Sequence, residues 1–133
     1  MTRLEDRERL KGHLDLLLLS VLQRTPVHGY ALVTQLCTAS AGAFDLPEGT
    51  VYPALHRLER AGWVTSTWVR SAPAAGGRRR KVYAVTPSGH LALATERSRW
   101  ERFSSGIRAV LHHHHPDPQA VSMAGPGPIP PTC

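Results

Sequence analysis

The sequence is poor in cysteine, in long aliphatic runs and in catalytic motifs, and each shortage removes a class of protein. Two cysteines, Cys37 and Cys133, stand among 133 residues, too few for a disulfide framework. Cys37 sits among apolar residues of helical spacing and reads as a small core residue. The longest continuous aliphatic run is Leu16 to Leu19, far below the roughly 20 apolar residues of a membrane span. The opening stretch MTRLEDRERLKGH carries charge of both signs and lacks the apolar core of a secretory signal. A reduced, cytoplasmic protein with no membrane partner is expected. The chain shows no Ser-His-acid set, no glycine-rich phosphate cradle and no metal-binding helix motif, so neither an enzyme nor a cofactor is expected. No internal repeat is visible.

Positive charge is what the chain has in excess. Sixteen Lys and Arg oppose ten Asp and Glu, a formal net charge of +6, and the isoelectric point is near 10.2. Such a balance favours a polyanionic partner, nucleic acid ahead of an anionic membrane surface. An apolar fraction of 41% suffices for the core of one domain with tails.

Residues 1–12 are read as a charged extension, frayed or loosely helical. From Leu14 to Arg24 the spacing predicts a helix. Leu14, Leu18, Val21 and Leu22 fall at i, i+4, i+7 and i+8, and Leu16, Leu17 and Leu19 widen the stripe until the helix must be covered on several sides. Thr25-Pro26 stops it. A second helix opens at His28-Gly29-Tyr30 and runs to about Ser40, with Leu32, Val33, Leu36 and Cys37 inward. His28 is read as a structural polar residue at its entrance, placed to cap it.

The stretch from Leu46 to Val64, LPEGTVYPALHRLERAGWV, organises the rest. Wound at 100° per residue it puts Val51, Ala54, Leu55, Leu58 and Ala61 on one side. Tyr52, Pro53, His56 and Arg60 lie on the other, with Arg57 at the edge. A phenol, an imidazole and guanidinium groups with no aliphatic cover suit a DNA groove and its phosphates, and Gly49 and Thr50 let backbone and a hydroxyl approach a phosphate. Gly62 ends the helix in the usual C′ manner. Pro53 leaves two starts open: at Thr50 it falls within the first turn, whereas a start at Pro47 requires a bend.

After Gly62 the period changes to two. Trp63 to Arg70 reads as a strand, Ser71 to Gly77 as a flexible loop, Arg78-Arg79-Arg80-Lys81 as a cationic run and Val82 to Thr86 as a second strand. Together they form an antiparallel hairpin with a basic edge near its tip. Thr86-Pro87 opens a last helix, Thr as N-cap and Pro as the first helical residue, reaching about Leu111. Leu93, Trp100 and Ile107 recur every seven residues, and Phe103 and Val110 hold the matching second position, although Glu96 interrupts that row. This seam exceeds what its own domain can cover and is expected to pack on a second subunit. From His112 the composition turns to Pro, Gly and His, and 112–133 is read as a disordered tail. Its four successive histidines, His112 to His115, share no helical face and are read as adventitious, so no metal site is expected.

Helix, helix, helix, strand, basic loop, strand, long helix is a winged helix–turn–helix order: mainly α with a small β-hairpin, plus a long C-terminal dimerisation helix. The DNA-binding domain spans 13–86 and the dimerisation helix 87–111. In this arrangement the third helix enters the major groove and the hairpin tip lies along the backbone or in the minor groove. The basic run falls where that tip would be, a coincidence independent of the helix argument.

The segments PVHGYAL (26–32), EGTVYPALHRLERAGWV (48–64) and GGRRRKVYAVTPSGHLAL (76–93), followed by a long final helix, resemble the PadR family of bacterial transcriptional regulators, specifically its short subgroup with one C-terminal helix. The resemblance covers about Leu14 to Leu111. It implies a homodimeric repressor that reads a palindromic operator in double-stranded DNA. It also places Thr50, Tyr52, Pro53, His56 and Arg57 in the recognition-helix motif and Arg78 to Lys81 in the wing. The loop 71–77, rich in Ala and Gly, departs from the family's usual acidic or polar residues.

On this reading Thr50 and Tyr52 contact phosphates, Arg57 and Arg60 bind phosphates or reach base edges, and His56 does either. Arg78, Arg79, Arg80 and Lys81 supply sequence-independent attraction. Leu93, Trp100, Phe103, Ile107 and Val110 form the dimer seam. The family also includes sensors of phenolic acids and flat aromatic drugs, which implies a second role for Trp100 and Phe103: stacking a small aromatic effector between subunits. The competing reading is a winged-helix interaction module that docks an acidic protein without binding an operator.

Overall fold

The computed structural model describes residues 4–70 and 76–113. Eight elements follow in order: α1 (Leu4–Leu10), α2 (Leu14–Leu22), β1 (Val27–His28), α3 (Gly29–Ala39), α4 (Glu48–Arg60), β2 (Val64–Arg70), β3 (Arg79–Val85) and α5 (Pro87–Leu111). The charged opening thus includes a regular helix, and α1 ends by burying Leu10 in the core. The core also takes Leu14, Leu18, Leu19 and Leu22 of α2, while Leu16, Leu17 and Val21 pack against it from the flanks. The near-continuous leucine run is therefore covered on several sides, as its spacing requires.

The sheet has three strands, in the order β1-β3-β2, all antiparallel. The expected hairpin is present, with Val64 opposite Val85 and Arg70 opposite Arg79. The third strand is not legible in the sequence. It is two residues long, Val27 opposite Tyr83 and His28 opposite Val82, and two residues carry no period. Its consequence is large, because it fastens the start of α3 to the middle of β3.

Helix α4 starts at Glu48 with Pro47 as N-cap, and so resolves the open choice of start. Pro53 lies inside the helix. It has no N–H to offer the Gly49 carbonyl, but both residues are exposed, so solvent reaches that oxygen. The inner face is Val51, Ala54, Leu55 and Leu58, each 0–1% exposed. Ala61, expected on that face, is exposed because it is already the C-cap. The Gly62 N–H donates to the Glu59 carbonyl and the Trp63 N–H to the Leu58 carbonyl, each at 3.0 Å, which is the Schellman pattern. Gly62 adopts a φ of +79°, and this left-handed residue turns the chain straight into β2.

Thr86 opens α5 by two bonds. Its Oγ1 accepts the Gly89 N–H at 3.0 Å and donates to the Gly62 carbonyl at 2.6 Å, so the cap of the last helix is tied to the end of α4. Contacts divide the chain into two units, Met1–Arg99 and Trp100–Cys133. Within the first, Leu93 is 2% exposed and belongs to the core. The seven-residue repeat assigned Leu93 to a subunit seam, but the opening turns of α5 are held on the core, and the residue is spent there. Within the second, Trp100, Phe103, Ile107, Val110 and Leu111 are exposed at 40–76%. Trp100 and Phe103 lie 6.0 Å apart, centroid to centroid.

Residues 71–75 of the expected loop, His114, His115 and the expected tail beyond them lie outside the described residues. Among the described residues no helix is long and apolar enough to cross a membrane.

Candidate nucleic-acid interface

The outer face of α4 is displayed as its period requires. Pro53, His56, Arg57 and Arg60 are exposed, and Thr50 and Tyr52 are half-buried. The tilt of Tyr52 toward the protein has a cause in α3. A Cβ placed on Gly29 would lie 2.6 Å from the Tyr52 ring and 2.9 Å from its hydroxyl, so only glycine at 29 admits the ring there. Burial, and secondarily the Glu48 carboxylate, push the Tyr52 phenol above its ordinary range. The hydroxyl therefore stays protonated and can donate to an anion.

The wing supplies cations from β3 and from the residue just before it. Arg78, Arg79 and Arg80 are exposed and Lys81 is half-buried. Across the ladder Trp68 faces Lys81, and its ring lies 5.4 Å from the Arg79 guanidinium and 6.0 Å from the Lys81 ammonium. The indole acts as a platform that holds two cations over its face. Lys81 is also drawn inward, 3.8 Å from the Glu59 carboxylate, which accepts a short bond from the Ser66 hydroxyl.

These two sets share one cleft of about 670 Å³, lined from α4 by Tyr52 and His56 and from the wing by Trp68, Tyr83 and the run Arg78 to Lys81. His28, Gly29 and Tyr30 at the start of α3 complete it. The candidates do not all gather there. Arg57 instead pairs with Asp15 of α2 at 3.3 Å, and Thr50, Pro53 and Arg60 lie outside the lining.

The cleft also takes in residues that the sequence did not single out for binding, among them Tyr30, Trp68 and His28. Tyr30 is 63% exposed and Trp68 59%; an aromatic at a helix start, and one alternating outward on a strand, were the available signals. His28 was placed at the helix entrance, and its Nδ1 does accept the Ala31 N–H at 3.2 Å. Its other nitrogen, Nε2, lies 3.0 Å from Nη1 of Arg80 in the wing, a link that only β1 pairing creates.

Three helices packed on a three-stranded sheet, with α4 outward and a cationic hairpin beside it, define a winged-helix protein, and the last helix adds a long element to it. Residues 18–95 match the model of the "Transcriptional regulator PadR-like family". The chain is 34% identical over 87 residues to the transcriptional regulator Rv3488 of Mycobacterium tuberculosis, covering 65% of this chain and 75% of that one. Among solved structures, the PadR family regulator from Eggerthella lenta superposes with a TM-score of 0.69 at 31% identity, over 83% of this chain and 91% of that chain. The PadR-like regulator from Bacillus cereus gives 0.70 at 28%, over 80% and 99%. The chain belongs to the PadR-like family of transcriptional regulators, which are not enzymes.

Proposed function

We propose that this regulator represses transcription as a homodimer bound to a palindromic operator, with α4 reading the major groove and the wing gripping the backbone. Regulators of the family bind DNA, generally as dimers. The observation that carries the reading for this chain is the shared cleft, in which Tyr52 and His56 of α4 face Arg78, Arg79 and Arg80 of the wing. Phosphate contacts from the wing set position and affinity, and base-edge contacts from α4 set sequence preference. Arg60 and His56 carry that preference, since they are exposed on the outer face. Thr50 and Pro53 sit in the first turns, beside the backbone. Arg57 is held by Asp15 and reaches a phosphate only when that link is broken.

The pairing surface is the exposed stripe Trp100, Phe103, Ile107 and Val110. Exposed apolar patches of this kind mark association sites, and a shallow open groove lined by Phe103, Ile107 and Val110 runs along the stripe. In the dimer, Trp100 and Phe103 of both subunits offer aromatic faces to a flat effector. Such a ligand relieves repression by favouring a dimer with the wrong spacing of its reading helices.

Selection of bound sequences from random duplex DNA tests the proposal. Two inverted half-sites, centred about one helical turn or a multiple apart, are the expected result. Failure of any sequence to enrich would favour the acidic-protein docking module instead.

A further inference from the structure

His28 has a hydrogen-bond donor aimed at each of its ring nitrogens. The Ala31 N–H points at Nδ1 from 3.2 Å, and the Arg80 guanidinium meets Nε2 at 3.0 Å. A guanidinium is always charged and only donates, and a neutral imidazole has one acceptor nitrogen and one N–H. The ring therefore satisfies one neighbour and opposes the other. If Nδ1 accepts from Ala31, the proton is on Nε2, and Nε2–H meets Arg80 donor to donor. The opposite tautomer satisfies Arg80 but sets N–H against N–H at the start of α3 and undoes its cap.

We propose that the capped tautomer prevails and that His28 and Arg80 together form a two-donor seat for one non-bridging oxygen of a DNA phosphodiester. The proposal rests on the DNA-binding reading above and names a contact within it. An anionic oxygen has lone pairs for both donors and turns the opposed pair into two hydrogen bonds, each assisted by charge. Among the described residues, the lining of the cleft contains no carboxylate that could take this place. Arg80 is exposed, so its side chain swings by the small amount needed to admit an oxygen. The backbone of a duplex, rather than a free anion, is the occupant because the seat adjoins His56 of α4 and Arg79 of the wing in the same cleft, where successive phosphates would pass. His28 thereby acts as a positioning residue as well as a ligand. It fixes the wing against α3 when DNA is bound.

Nitrogen-edited spectra of the histidines in the full chain, free and with a duplex obtained by selection, read the tautomer directly. Nε2–H is expected in both states, with its signal displaced by the duplex and not by inorganic phosphate at the same phosphate concentration. His28→Asn keeps an acceptor for the Ala31 N–H, since Asn is a good N-cap, but has no reach to the seat. It should melt like the parent and bind the duplex about tenfold more weakly or worse, the effect of one charge-assisted bond. The loss on adding Arg80→Gln should be less than additive, because both donors serve one oxygen. An Nδ1–H tautomer in the complex, or parental affinity in His28→Asn, overturns the seat while leaving DNA binding intact. An equal displacement by inorganic phosphate overturns the phosphodiester as its occupant. A parent chain that binds no duplex removes the DNA reading and the seat with it. Should His28→Asn fail to fold, the parent's tautomer and Arg80→Gln alone decide.

Discussion

Removing the three wing arginines should flatten the salt dependence of DNA binding by an amount that the structure sets. Arg57 is exposed like Arg60, Arg78, Arg79 and Arg80, but it pairs with Asp15, and Lys81 faces Glu59. Counting Arg60, Arg78, Arg79 and Arg80 as phosphate contacts, and about 0.9 of a unit of slope for each, a dimer has a slope of log affinity against log salt near −7. Raising salt from about 50 to about 200 mM then costs the parent roughly four decades of affinity. The variant Arg78→Ala/Arg79→Ala/Arg80→Ala keeps one such contact per subunit. Its slope should be about −2, and the same change of salt should cost it only about tenfold. Fluorescence anisotropy of a labelled selected duplex, titrated over a series of KCl concentrations, measures both. A scrambled duplex should lose affinity in parallel, because phosphates carry no sequence. Asp15→Asn should act in the other direction, releasing Arg57 and steepening the slope by about 2 for the dimer. A variant slope equal to the parent's, or a wing variant that loses discrimination while keeping its slope, would refute the assignment of these arginines to the backbone.

Gly29→Ala should destabilise the fold by about 1–3 kcal/mol, the usual cost of forcing a group into a filled space, because its Cβ would meet the Tyr52 ring at 2.6 Å. Thermal melting should show a drop of about 4 °C or more, and an unchanged midpoint would mean that Tyr52 moves aside freely. Tyr83 is 1% exposed; burial first, then the Glu59 carboxylate and Tyr52, hold its phenol above the ordinary 10.0. A raised value in the folded state means that the folded chain keeps a proton that the unfolded chain releases. Its contribution is therefore complete below about pH 10 and is lost as pH rises toward the folded value. Urea midpoints across the alkaline range should fall less steeply in Tyr83→Phe than in the parent; parallel curves would count against this. Ile107→Glu puts a charge in the exposed stripe of α5 and should leave the melting of the winged-helix unit unchanged while converting dimers to monomers in sedimentation. A variant that still sediments as a dimer would move the pairing surface elsewhere.

Much of the fold was legible because it rests on local rules. The leucine spacing of α2, the apolar face of α4, the left-handed glycine at 62 and the Thr86-Pro87 opening of α5 each act within a few residues, so they appear in the sequence as period and punctuation. The run Arg78 to Lys81 could be placed in a wing because it lies between two stretches of period two. Two things could not be read this way. Leu93 is indistinguishable in spacing from Trp100 and Ile107, yet it is buried in the core at 2% exposure while Ile107 remains 44% exposed. Arg57 and Arg60 carry the same charge, but only the packing of α2 on α4 brings Asp15 to Arg57.

The sequence by itself determined the order of the longer elements, the sign of the charge and which face of α4 is polar, because chain neighbours and side-chain chemistry suffice for those. Tertiary structure alone decided which cations meet a carboxylate of the protein, Arg57 at Asp15 and Lys81 at Glu59. It also decided that His28 and Arg80, 52 residues apart, meet in one cleft. That meeting depends on two backbone pairings between β1 and β3, and no spacing along the chain encodes a contact made between strands so far apart.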